Sequence, residues 1–209
     1  MKISKIERAK KQTPTYHIYS DDTLLLSVTE ETLIHFHLSK GMELNDETLD
    51  EIYQYDQVQQ CMLQAVRYLS RRGHFEQELR QKLRNKGYDA PIIDRTLQNL
   101  RQKRYLDDLN LMKQFVHDGI HLRKYGPLLL KQKLIAKGIA ASEAENFLHR
   151  AYPEELQREV AHGLAKKKWR SLNPDHPPEK RKQKLVAFLQ QRGFSWNIIR
   201  PLLDQLPGE

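Results

Sequence analysis

From residue 57 onward, apolar residues recur every three or four positions, the spacing that gathers them on one face of an α-helix. Val58, Met62, Ala65 and Leu69 form one stripe; after a break at Gly73, Phe75, Leu79 and Leu83 form another. Leu109, Met112, Val116 and Ile120 form the next, followed by a break at 124–127 and then Leu130 and Leu134. Leu156, Val160 and Leu164 lead to a longer break at 171–180, then to Leu185 and Leu189. The second stripe of each set ends in the same six-residue phrase, LRNKGY at 83–88, LIAKGI at 134–139 and LQQRGF at 189–194, spaced about fifty residues apart.

The phrase reads as a helix stop. A glycine just past a helix can take the left-handed conformation without a Cβ clash, which points to Gly87, Gly138 and Gly193. Counting back places Leu83, Leu134 and Leu189 in the last turn; counting forward places Tyr88, Ile139 and Phe194 where a Schellman turn packs an apolar residue against that leucine. Lys86, Lys137 and Arg192 sit at the negative end of the helix dipole. Another helix follows each stop. Asp89, a capping box at 142–145 (SEAE) and Ser195 are the expected caps. Ile92, Ile93, Leu97 and Leu100 face inward in the first of these helices, Ala144, Phe147, Leu148 and Ala151 in the second, and Ile198, Ile199, Leu202, Leu203 and Leu206 in the third. Pro153 suits the first turn of a helix, and Asp107, Asp108, Glu154 and Glu155 suit helix N-termini. Each unit is therefore helix, turn, helix, glycine stop, helix. Units this small bury little alone, so the expected fold is mainly α, with tandem three-helix repeats stacked into an elongated array. The expected divisions are 57–107, 108–153 and 154–209.

Residues 1–56 differ. TYHIYS at 15–20 and LLLSV at 24–28 read as strands joined by a turn at Asp21 and Asp22, with a third strand near 3–6. Short helices are expected at 31–38 and 46–53. LSKGM at 38–42 is a shortened form of the repeated phrase. The segment is a small N-terminal β-hairpin/α module.

Charge divides the chain in the same place. Residues 1–56 carry six Lys/Arg and eleven Asp/Glu, whereas the rest carries twenty-nine and sixteen, within a total of +8 over 209 residues. A basic larger part suits a polyanion or an acidic protein groove; the plain alternative is a solvated surface. No apolar run is long enough for a membrane helix, and no apolar run follows the basic start as a secretory signal would require. The single Cys61 excludes a disulfide framework and suits a reducing, cytoplasmic setting.

Catalytic sets are not evident. Asp107 and Asp108 point in different directions on a helix and suit capping. His117 and His121 share a helix face, but no third metal ligand stands at a strong spacing, and Gly119 between them weakens the helix. His35 and His37 read as partly buried side chains, Cys61 as core, and Trp169 and Trp196 as packing residues. Phosphate-loop, dinucleotide-binding and nucleophile-elbow motifs are missing from the sequence, so neither an enzyme nor a bound cofactor or metal is expected.

What remains is recurring positive charge. Aligning the glycines pairs Arg72 with Arg123, Arg80 with Lys131, Lys82 with Lys133 and Lys86 with Lys137, with Arg71 and Lys124 beside them. The third unit shifts its cations to Arg181, Lys182 and Lys184 and adds Lys166, Lys167, Lys168 and Arg170. These are the candidate partner or DNA contacts, because they recur by position as well as by count.

The stretches YLSRRGHFEQELRQKLRNKGYD at 68–89, LRQKRYLDD at 100–108 and KYGPLLLKQKLIAKGI at 124–139 resemble the RecX family. The N-terminal segment resembles the extension of its Gram-positive members. The family pattern places serine where His74 and Phe75 stand and a phenylalanine-alanine pair where Leu111 and Met112 stand, and the Pro-rich third unit matches it weakly. The resemblance implies a monomeric, cytoplasmic, non-catalytic regulator of the RecA recombinase. It would lie in the groove of the RecA–DNA filament, bridge protomers and either hinder ATP turnover, strand exchange and co-protease activity or favour filament disassembly, with weaker binding to bare single- or double-stranded DNA. The alternative is a basic helical-repeat DNA-binding protein indifferent to RecA.

Overall fold

The computed structural model describes residues 1–9 and 15–204, so Leu206 lies outside the described residues. The chain divides into two compact units, Met1–Asp107 and Asp108–Glu209.

The first unit opens with a three-stranded antiparallel sheet, β1 (Lys5–Arg8), β2 (Thr15–Ser20) and β3 (Thr23–Thr29), in that order. Asp21 and Asp22 turn β2 into β3 with φ of 44° and 63°. A two-residue hairpin turn with both φ positive matches the twist of its strands, and aspartate is among the few residues that tolerate it. Ile18 and Val28 face a core shared with Ile3, Leu38, Leu44 and Ile52. Helix α1 (Glu30–His35) is capped by the Thr29 side chain, which accepts from the Thr32 N–H. It ends with His37 at φ 50°, where the Leu38 N–H donates to Leu33 O at 3.0 Å. The stop of α1 is therefore at His37. The LSKGM phrase terminates no helix: Gly41 lies in the following loop and donates to Ile3 O at 2.8 Å.

One continuous helix, α2 (Asp46–Leu69), occupies the place of two expected helices. The polar stretch 54–57 contains no glycine or proline, so nothing in the backbone breaks it. That polarity has a tertiary use. Asp56 is 3% exposed and accepts the Thr29 N–H at 2.7 Å, the Thr32 hydroxyl at 2.7 Å and the Gln60 amide at 2.6 Å. A buried carboxylate so satisfied fastens the end of β3 and the start of α1 onto α2. Helices α3 (Glu76–Arg84) and α4 (Ala90–Gln102) complete the first triplet. Cys61, Ala65, Leu79, Leu83, Ile93, Leu97 and Leu100 form its core.

The second unit contains α5 (Asp108–His121), α6 (Pro127–Ile135), α7 (Ala141–Ala151), α8 (Glu154–Ser171), α9 (Pro178–Gln191) and α10 (Trp196–Asp204). Ser142 falls inside the first turn of α7, whose N-cap is Ala140, so the expected capping box does not form. Asp89 and Pro153 stand at N-cap positions without a side-chain cap bond.

All three glycine stops are Schellman turns. Gly87, Gly138 and Gly193 have φ of 93°, 93° and 88°. Each donates to the carbonyl three residues back, and Tyr88, Ile139 and Phe194 donate to Leu83, Leu134 and Leu189 at 3.3, 3.1 and 3.1 Å. The third has an additional task. The Gly126 N–H donates to Arg192 O at 2.7 Å and the Leu128 N–H to Gly193 O at 3.1 Å. The unpaired amides at the start of α6 and the unpaired carbonyls at the end of α9 thus satisfy each other, joining the second triplet to the third by backbone bonds. A Cβ on Gly126 would lie 2.4 Å from the Gly193 carbonyl, and one on Gly193 would lie 2.4 Å from Leu129 N. Glycine at both positions is what permits this approach.

Candidate polyanion interface

In the first triplet two of the recurring cations, Arg72 and Arg80, are engaged by carboxylates. Arg72, in the turn after α2, bonds Glu78 and donates to Gly73 O at 2.9 Å. Arg80 on α3 reaches Asp94 on α4 and lies 3.6 Å from Glu76. Arg101, outside the sequence-based set, grips Glu76 through two bonds of 2.5 and 2.6 Å. Arg101 is therefore the main reason that the Glu76 carboxyl is held below its ordinary value. These pairs brace α3 against α4 across a partly exposed surface. Lys82 lies over the Tyr68 ring at 5.1 Å, and Arg71 and Lys86 are exposed. His74 is buried, bonds Arg72 O through Nδ1 at 2.9 Å and is held below its ordinary 6.5 chiefly by that burial.

The second triplet keeps one of these braces and loses the others. Lys131 reaches Glu145 at 2.8 Å, the counterpart of Arg80 with Asp94. Where Glu76 and Glu78 stand in the first triplet, the glycine alignment places Pro127 and Leu129, and Arg101 is replaced by the buried Tyr152. Among the described residues no carboxylate pairs with Arg123 or Lys133. Lys133 lies over the Tyr125 ring at 5.1 Å and Lys137 over the Phe115 ring at 5.5 Å. A groove of about 450 Å³ opens between these side chains, with Asp118 on its wall. Arg123 bonds the Tyr125 hydroxyl and, with Lys133 and Arg192, holds that phenol below its ordinary value. Lys124 is exposed, at φ 55° in the turn that ends α5. Gly119 is accommodated in α5 because the Leu130 side chain occupies the position of its missing Cβ.

The third triplet displays its cations on aromatic rings. Arg181 stacks over Trp169 at 4.1 Å, and Lys168 and Arg192 both lie 5.4 Å from the Phe188 ring centre. Lys184 is 3.3 Å from His176 and Lys182 is 3.5 Å from Glu179. Lys166, Lys167 and Arg170 are exposed on α8. Arg192 also donates from Nη1 to Arg123 O at 3.0 Å.

Other expectations need correcting. His35 and His37 are exposed, and His35 stacks flat on Tyr55 at 4.2 Å. Trp196 is half exposed and is not a core residue. His117 and His121 approach each other at 4.6 Å, but among the described residues no group of three metal-ligating side chains forms. Cys61 is fully buried, which pushes its thiol up. Among the described residues no helix is long and apolar enough to cross a membrane. Sequence reasoning missed Phe115, Tyr125 and Arg192. Arg192 carried the signal, since it occupies the place of Lys86 and Lys137 before the glycine; the two aromatics carried none.

The chain matches four family models: the RecX regulatory protein N-terminal domain over residues 1–45, and the first, second and third RecX three-helix domains over 61–100, 107–148 and 155–203. It is 31% identical to the regulatory protein RecX of Streptococcus agalactiae serotype V across all of this chain and 78% of that one. It is 30% identical to the regulatory protein RecX of Oceanobacillus iheyensis across 98% of this chain and 76% of that one. A crystal structure of a regulatory protein RecX superposes with a TM-score of 0.78 and 31% identity, covering 97% of this chain and 98% of that chain. RecX from Lactobacillus salivarius superposes with a TM-score of 0.65 and 26% identity over 73% and 97%. A sheet module followed by three helical triplets, matched in order along the sequence, places this chain in the RecX family of regulatory proteins.

Proposed function

We propose that this protein is a non-catalytic regulator that binds the RecA filament on DNA and lowers its ATP turnover. One observation carries the reading beyond family membership: cations recur at matching places on successive triplets, Lys82 with Lys133 and Lys86 with Lys137 and Arg192. A helical polyanion presents the same charge pattern at regular intervals. Repeated modules with matching cations can engage successive intervals, which a single basic patch cannot. The sheet module and residues 1–56 carry the opposite charge balance and so stay off the polyanion.

The test is a titration of the purified protein into RecA on single-stranded DNA with ATP hydrolysis as the readout. Falling turnover with increasing protein is expected; unchanged turnover at saturation removes the proposal. The excess of thirteen positive charges over residues 57–209 favours a second reading, a protein that binds DNA without regard to RecA. Binding to bare DNA as tight as to the RecA-coated strand, with a steep salt dependence, would select it.

A further inference from the structure

We propose that the groove between α5 and α6 is a phosphate pocket for single-stranded nucleic acid, and that its occupancy is linked through Arg192 to docking of the third triplet. The proposal rests on the polyanion reading above and adds a specific site, a ligand and a consequence for the fold.

The groove, about 450 Å³ in volume, is walled by Phe115, Asp118, Arg123, Tyr125, Lys133 and Lys137. Lys133 and Lys137 lie over the aromatic rings at 5.1 and 5.5 Å. An ammonium held over a ring is positioned by the ring face yet keeps N–H donors for an anion. Arg123 and Lys133 pair with no carboxylate among the described residues, and the wall's Asp118 lies beside His117 at 3.4 Å. The lowered phenol of Tyr125 reports the same positive surroundings. A phosphate presents several oxygens at once and can accept from a guanidinium and ammonium groups together. Phe115 and Tyr125 add ring edges beside it where a base can pack, the combination of cations and aromatics that binds unpaired strands.

Arg192 ties the third triplet to Arg123 on the pocket's wall, although it does not itself line the groove. It belongs to the end of α9, its carbonyl accepts from Gly126 at 2.7 Å, and its guanidinium donates to Arg123 O at 3.0 Å. Docking therefore brings a further cation toward Arg123, Lys133 and Lys137. These like charges oppose docking in the empty state, and an anion among them relieves that opposition. A ligand that prefers the docked state stabilises it by mass action.

Arg192→Gln in the full chain tests this, because it removes the guanidinium and leaves the backbone junction. Arg200→Gln, an equal charge change at an exposed position on α10, is the control. The probe is a short oligothymidylate, with affinity measured by fluorescence anisotropy and with hydrogen exchange followed at the Gly126 and Leu128 amides. The expected result is about a tenfold loss of affinity for Arg192→Gln, corresponding to one charge-assisted contact, and a small loss for Arg200→Gln. Oligothymidylate should slow exchange at both amides in the wild type and not in Arg192→Gln. Equal losses in the two variants would overturn the pocket in favour of a diffuse basic surface. Tighter binding of oligoglutamate than of oligothymidylate would assign the groove to an acidic polypeptide and overturn the nucleic-acid ligand. Binding without slowed exchange would overturn the linkage. Each of these can occur while the wild type still lowers RecA ATP turnover, so this inference and the proposed function fail separately.

Discussion

The first and second triplets share one plan and differ in what surrounds the same cation. Arg72 and Arg123 occupy equivalent places before the second helix. Arg72 is held by Glu78, whereas Arg123 faces a groove with Tyr125, Lys133 and Lys137. The change follows from two residues. Where the first triplet has Glu76 and Glu78, the second has Pro127 and Leu129, which begin α6 and seat it against the end of α9. One triplet uses two cations to brace its own helices; the other keeps one such brace, Lys131 with Glu145, uses backbone bonds to dock a neighbour, and among the described residues gives Arg123 and Lys133 no carboxylate. A basic residue count cannot distinguish these roles, because an internal ion pair and an open contact contribute the same formal charge.

The glycines offer the strongest way to break the comparison. A Cβ on Gly87 meets nothing within 4 Å, whereas one on Gly193 strikes the backbone of Leu129. Gly87→Ala should cost about 1–2 kcal/mol, the strain of a left-handed alanine. Gly193→Ala should cost about 3 kcal/mol or more, since overpacking adds to that strain. Urea denaturation of the two variants measures both; equal losses would mean that the junction contributes no constraint beyond the turn itself.

A smaller effect sharpens the charge contrast. Glu78→Gln removes the partner of Arg72 and gives the first triplet an open arginine like that of the second. Affinity for oligothymidylate should rise about two- to fivefold, with stability changed by about 1 kcal/mol or less. Unchanged affinity would show that pairing with Glu78 is not what keeps Arg72 from an anion.

The smallest effect is in pH dependence. The glycine alignment puts His74 opposite Tyr125. Burial holds His74 below its ordinary 6.5 against the bond to the Arg72 carbonyl, which favours charging; the Arg72 and Lys82 cations oppose its charging, and Glu78 at 4.0 Å favours it. The unfolded chain therefore takes up this proton first as pH falls. The contribution of neutral His74 is fully present above about pH 6.5 and is lost progressively below it. Protection against hydrogen exchange, after division by the intrinsic rate at each pH, should fall across α3 and α4 between pH 7.5 and 5.5 more than across α6 and α7, and His74→Gln should reduce that difference.

Helix stops, helical stripes and the Asp21–Asp22 hairpin were legible because each depends on a few neighbouring residues. A left-handed φ needs glycine, and an inward face needs apolar residues every three or four positions. The continuity of α2 was not legible. The polar stretch 54–57 looked like a gap, and only Thr29 and Thr32, distant in sequence, reveal Asp56 as an internal clasp. His35 and Trp196 were misread for the same reason, since exposure is decided by which other elements arrive to cover a side chain. The recurring cations were visible as positions, while Phe115 and Tyr125 became part of a site only when α5 and α6 came together around the groove.

Sequence alone determined that this chain would build three glycine-terminated helical triplets, because backbone conformation and amphipathic period are local properties. Only the tertiary structure decided that Gly193 also receives α6 and that, among the described residues, a carboxylate holds Arg72 while Arg123 meets the Tyr125 hydroxyl instead. Those outcomes depend on carbonyls, carboxylates and rings brought into reach from distant positions, and reach in space is not written in spacing along the chain.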